Sequence, residues 1–93
     1  MNGRCLILNP GPNEITLADS EAGYAEGVLW LYIQGQTLAQ AFALLSDPAN
    51  TAAIEFRYGE MADRFEGFTC LTGLMARDGL ISASLVREEG EHV

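Results

Sequence analysis

The sequence predicts an α+β fold: a mostly antiparallel β-sheet with one short helix packed on one face, in the order ββ(β)–α–βββ. Three observations lead there. β-prone apolar runs lie both before and after the middle of the chain, a single stretch has helical spacing, and an Asp-Gly turn separates the last two runs. The helix should cover one face of the sheet, leaving the other open to water or to a partner.

Residues 5–8, Cys-Leu-Ile-Leu, read as the first strand, stopped by the Pro- and Gly-rich 9–13. Residues 14–17, Glu-Ile-Thr-Leu, alternate polar and apolar, the pattern of a half-buried strand. Residues 19–27 are acidic and rich in small side chains and read as a loop or irregular edge. Residues 28–33, Val-Leu-Trp-Leu-Tyr-Ile, form the strongest strand signal in the chain. Val28, Trp30 and Tyr32 share one face; Leu29, Leu31 and Ile33 share the other. A strand apolar on both sides is covered on both or carries a partner-binding face.

Thr37 and Gln40 match a capping box, so a helix should start at Leu38 and run to Leu45 or Ser46. Leu38, Ala41, Phe42 and Leu45 fall at i, i+3, i+4 and i+7, a stripe directed at the core. Asp47-Pro48 should end the helix; the other reading lets Pro48 open a further turn. Residues 53–58 alternate, with Ile54, Phe56 and Tyr58 opposite Glu55 and Arg57. Residues 59–64 read as a charged connection and 65–76 as a long strand with two glycines, a pattern that marks a bulge or close backbone approach. Asp78-Gly79 is a hairpin signal of the type I′ kind. Residues 80–87 return, with Ile81, Ala83 and Leu85 on one face, and 88–93 are a polar tail expected to fray.

Length and charge bound the function. The chain has 93 residues, expected as one domain over 1–93, with 13 acidic residues, five arginines and no lysine, for a net charge of −8. That balance argues against direct nucleic-acid binding, which needs clustered basic residues. No apolar run reaches the ~20 residues of a membrane span, and the N-terminus lacks a signal-peptide pattern. Cytoplasmic or virion-associated placement is the expectation.

The catalytic inventory is thin. Without lysine there is no Schiff-base chemistry, and the lone histidine, His92, sits in the tail and makes a poor general base. No phosphate-binding glycine motif appears. The acidic groups Asp19, Glu21, Glu26 and Glu60, Asp63, Glu66 read as solvated loops rather than cation sites. Cys5 and Cys70 read as free, buried small residues, neither with a ligand-spaced neighbour. No enzyme activity, cofactor or metal is expected. Arg57 and Arg87 are expected to pair with carboxylates across strands. Seven aromatics (Tyr24, Trp30, Tyr32, Phe56, Tyr58, Phe65, Phe68) are too many for one short helix to cover. One aromatic cluster is therefore expected at an interface, where aromatics are favoured. Trp30, Tyr32 and Val28 are the candidate partner-binding residues.

A resemblance adds to this. Thr37-Leu38, then Leu44-Leu45-Ser46-Asp47-Pro48-Ala49-Asn50-Thr51 and Ile54-Glu55-Phe56, resemble small prophage-encoded accessory proteins of tail-gene cassettes. Phe65-Glu66-Gly67-Phe68-Thr69-Cys70-Leu71 resembles their aromatic-Glu-Gly-Tyr-Thr-x-Leu signature, with Phe68 where Tyr is usual. Asp78-Gly79 falls at their last hairpin, and the lysines common among them are missing. The resemblance covers about residues 28–88 and implies a phage accessory or tail-associated protein without a known active site. The leading expectation is thus a non-enzymatic assembly module that pairs with itself, as a homo-oligomer, or with another phage protein. The alternative is an acidic inhibitor or decoy for a basic nucleic-acid-binding groove on a host protein.

Overall fold

A computed structural model describes residues 3–88. Its elements are β1 (Arg4–Leu8), β2 (Ile15–Ala18), β3 (Glu21–Ala25), β4 (Val28–Gln34), α1 (Leu38–Leu45), α2 (Pro48–Thr51), β5 (Ala53–Tyr58), β6 (Met61–Glu66), β7 (Cys70–Arg77) and β8 (Leu80–Val86). The class is α+β, mostly β and antiparallel throughout. The strands form two four-stranded sheets, ordered β2-β1-β5-β6 and β3-β4-β8-β7, where the sequence suggested one.

Alternation in each strand builds a shared core. The first sheet contributes Leu6, Leu8, Leu17 and Ile54; the second contributes Leu29, Leu31, Ile33, Ile81, Ala83 and Leu85. Both faces of β4 are apolar, and the inner one is closed by the opposite sheet rather than by a helix. The sheets are tied at the β2–β3 corner. There Asp19 takes a left-handed conformation, φ 57°, and its N–H donates to the Arg4 carbonyl. Ser20, fully buried, donates to the Ala18 carbonyl and accepts from the Gln34 N–H, at 3.0 and 3.2 Å.

The capping box on α1 forms as the sequence predicts: Thr37 Oγ1 accepts from the Gln40 N–H, and Gln40 Oε1 accepts from the Thr37 N–H. Its buried face differs from the expected stripe. Ala41 and Leu45 are fully buried, but Leu38 and Phe42 are 45% and 56% exposed. Because the sheets cover one another, α1 only closes the core beside β7, and a narrow stripe suffices. α1 ends at Leu45, before the extended Asp47, as expected, and the other reading of Pro48 holds as well. With Asp47 capping the Ala49 N–H, Pro48 opens α2, since Pro at a first helical position forfeits no hydrogen bond.

The segment read as a loop or irregular edge, 19–27, and the one read as a charged connection, 59–64, contribute the edge strands β3 and β6. β3 pairs with β4 through a tight turn with both Glu26 and Gly27 at positive φ; β6 pairs with β5 along its whole length. Both are short and largely exposed, and β6 is charged, which masks the alternation and protects an edge from unwanted pairing. The long strand expected over 65–76 is two strands. Between them the chain leaves the first sheet for the second, and Phe68 turns into the core at 2% exposure. The frayed tail expected at 88–93 lies, apart from Glu88, outside the described residues, as does His92.

Candidate interaction face

The two outward faces have opposite chemistry. On the first sheet, Glu55 lies between two arginines, 2.7 Å from Arg57 Nη2 and 2.7 Å from Arg64 Nη1. Arg57 also reaches Glu14, and Arg64 reaches Glu66. The Arg57 hydrogen bond, joined by that from Arg64, holds the Glu55 carboxyl below its ordinary range; partial burial opposes the shift. Ile7 lies on this face between Thr16 and Glu55 in register, yet is only 2% exposed. The stems of long charged neighbours shield such a side chain. This face is an ion-pair lattice closed over its one large apolar residue.

The second sheet's outer face carries Val28, Trp30, Tyr32 and Gln34 from β4, with Leu80, Ser82, Ser84 and Val86 from β8 beside them. β7 adds Cys70, Gly73, Met75 and Arg77, and β3 adds Glu21, Gly23 and Ala25. Among the described residues, its ionisable side chains besides Tyr32 and Cys70 are Glu21 and Arg77, one on each edge strand, with Asp78 in the turn beside Arg77. Glu21 is bonded to Arg4 at 2.7 Å. Trp30 is 41% exposed and Met75 57%; Val28 and Tyr32 are half-buried. The structure thus places all three candidate residues together on one outward face.

Register shapes this face. One row across the sheet reads Gly23, Trp30, Ser84, Gly73, and the next reads Glu21, Tyr32, Ser82, Met75. The aromatic ridge on β4 therefore stands beside the small Ser82 and Ser84 on β8, with Gly73 and the exposed Met75 beyond them on β7. Gly73 follows a register shift in β7, and a Cβ there would lie 2.7 Å from Ser84 Oγ. That hydroxyl is in turn 3.0 Å from Thr72 Oγ1. Next to the ridge is a shallow hollow of about 390 Å³, lined by Tyr32, Met75, Arg77, Asp78, Leu80 and Ser82.

The other aromatics are used within the fold. Tyr24 packs on Phe68 and Phe65 with centroids 5.3 and 6.4 Å apart, and Phe56 lies 4.6 Å from Tyr58. The Arg87 guanidinium sits 4.3 Å from the Phe68 centroid, so Arg87 meets an aromatic face and the Glu66 carbonyl rather than a carboxylate. Arg57 does pair with carboxylates, but chiefly with Glu55 on its own strand at 2.7 Å, and only at 4.0 Å with Glu14 just before β2. Cys70 corrects the expectation of buried cysteines: it is exposed on the second sheet, while Cys5 is half-buried on the opposite side of the molecule, and both thiols are free. Among the described residues no three metal-ligating side chains converge, and no helix is long and apolar enough to cross a membrane. Sequence reasoning found the ridge from alternation alone. It missed Ser82, Ser84, Gly73 and Met75, whose place beside the ridge depends on strand order.

Comparison with family models, with curated proteins and with solved structures finds no match to this chain.

Proposed function

We propose that this chain is a non-enzymatic interaction module, a structural or accessory protein of the phage or prophage kind. It acts through protein–protein contact, with itself or another phage protein, at the outer face of the second sheet. One observation carries this reading: a chain of net charge −8 keeps a four-strand face with charge only at its two edges. An exposed aromatic ridge on such a face is a contact surface, since interface cores favour Trp and Tyr and exclude charge. The resemblance to prophage accessory proteins supports the cellular setting, the cytoplasm or the virion. The thin catalytic inventory supports a role without chemistry.

The test is the solution mass by light scattering after gel filtration, at low and high salt and at loading concentrations up to millimolar. An oligomer is expected, and Trp30→Glu should dissociate it while leaving the circular dichroism unchanged. An oligomer of unchanged mass in folded Trp30→Glu overturns the assignment of this face.

The net charge supports a second reading, an acidic decoy for a basic groove on a host protein. Against it, Glu14, Glu55 and Glu66 are engaged by arginines on the first sheet, which breaks up any continuous acidic strip. A clean monomer with salt-sensitive binding to a basic nuclease would favour this reading over self-assembly.

A further inference from the structure

The outer face of the second sheet is split lengthwise. β4 raises Trp30 and Tyr32; directly opposite them β8 presents Ser84 and Ser82, followed on β7 by Gly73 and Met75. The hollow of about 390 Å³ lies over Ser82, between Tyr32 on the ridge and the exposed Met75 on β7, with Arg77 and Asp78 at its end. A ridge beside a trough in the same rows is a self-complementary shape. A two-fold axis lying in the contact plane, parallel to the strands and between β4 and β8, exchanges left and right but keeps each row at its height. It lays β4 of one copy on β8 of the other. An axis across the strands would set ridge on ridge.

We infer that the occupant of this face is a second copy of the chain, docked about a two-fold axis parallel to the strands. Tyr32 of each copy seats in the partner's hollow over Ser82, and Trp30 lies over Ser84 and Gly73. The inference rests on the interaction-face reading and specifies its partner and symmetry. Size sets the strength. Four strands of about seven residues span about 19 by 24 Å, so the two copies together bury about 900 Å². Stable interfaces bury about 1,200–2,000 Å², so this dimer is weak and concentration-dependent. Charge sets its salt response. Each copy carries −8, while the charged groups at the contact are paired locally, Glu21 with Arg4 and Arg77 with Asp78, so added salt screens the net repulsion and tightens the dimer.

The experiment uses the full chain in sedimentation equilibrium, from micromolar to millimolar, with two variants on this face. Tyr32→Ala removes the ridge; Ser82→Trp fills the hollow. Each alone should weaken association at least tenfold. Mixed in equal amounts they should form a heterodimer, because the missing ridge leaves room for the filled hollow while the intact ridge and intact hollow still meet. Trp30 is the single tryptophan. Its emission in the unmutated chain should shift to the blue as concentration rises, a readout that needs no variant to fold. If the unmutated chain associates and Trp30→Glu abolishes association, but the mixture stays monomeric, this symmetry is overturned while the interaction face stands. If the unmutated chain stays monomeric to millimolar concentration, with constant Trp30 emission, a second copy is excluded as the occupant.

Discussion

Thr51 is fully buried, and its Oγ1 has no hydrogen-bond partner. Burying an unpaired hydroxyl costs about 1–3 kcal/mol, whereas an apolar group of the same shape carries no such penalty. Thr51→Val is therefore expected to raise the unfolding free energy by about 1 kcal/mol in urea titration; a loss would mean that the hydroxyl is satisfied. Glu55 makes the opposite case, a carboxylate with more partners than most. Its folded-state pKa is depressed below the ordinary 4.5, chiefly by the Arg57 hydrogen bond. The folded state thus takes up its proton later than the unfolded chain as pH falls. The stability it contributes is complete above pH 4.5 and drains away as pH drops through the folded value. Glu55→Gln should flatten this acid limb of the stability profile, lowering stability at neutral pH, where the Glu55 contribution is complete, and changing little below the folded value. An unaltered acid limb would show that the arginines do not hold Glu55.

Among the elements, α1 depends most on its cap. It has eight residues, no acidic residue in its first turn and no basic residue in its last, so charge does nothing to offset the helix dipole. Two turns with a narrow buried stripe are marginal alone. Thr37→Ala should cost about 1 kcal/mol of global stability in thermal or urea unfolding, the usual loss for a capping threonine. Its effect on the second-sheet face should be nil, because α1 reaches the core beside β7. The last hairpin is the element most directly encoded: Asp78 and Gly79 both take positive φ, 53° and 79°, as the I′ turn requires. β3 and β6 are encoded least, since as exposed edge strands they gain little from apolar alternation.

As a whole the molecule has one core lined by both sheets, α1 and Phe68. Neither sheet buries its inner face without the other, so unfolding should be a single cooperative event. Trp30 emission and far-ultraviolet circular dichroism should trace the same urea transition; separated midpoints would show that one sheet persists alone. The two outer faces divide the remaining work. One is closed by five residues in an ion-pair lattice, Glu14, Arg57, Glu55, Arg64 and Glu66. The other leaves Trp30 and Met75 to solvent.

The class of fold, β4 with its two apolar faces, the capped helix from Leu38 and the Asp78-Gly79 hairpin were legible in the chain. Each is decided by neighbours within a few positions, where periodicity, capping and turn chemistry act. The candidate ridge of Val28, Trp30 and Tyr32 was legible for the same reason. Whether Leu38 and Phe42 face the core was not, because that depends on how much of the core the sheets already close. The trough that makes the ridge a shaped surface was not legible either. Ser82, Ser84 and Gly73 are ordinary small residues until β8 is placed between β7 and β4, although Leu80 of β8 is 46 positions along the chain from its pair Gln34 in β4. Strand order in two sheets is a property of long-range pairing and shared burial, and local pattern carries no record of it.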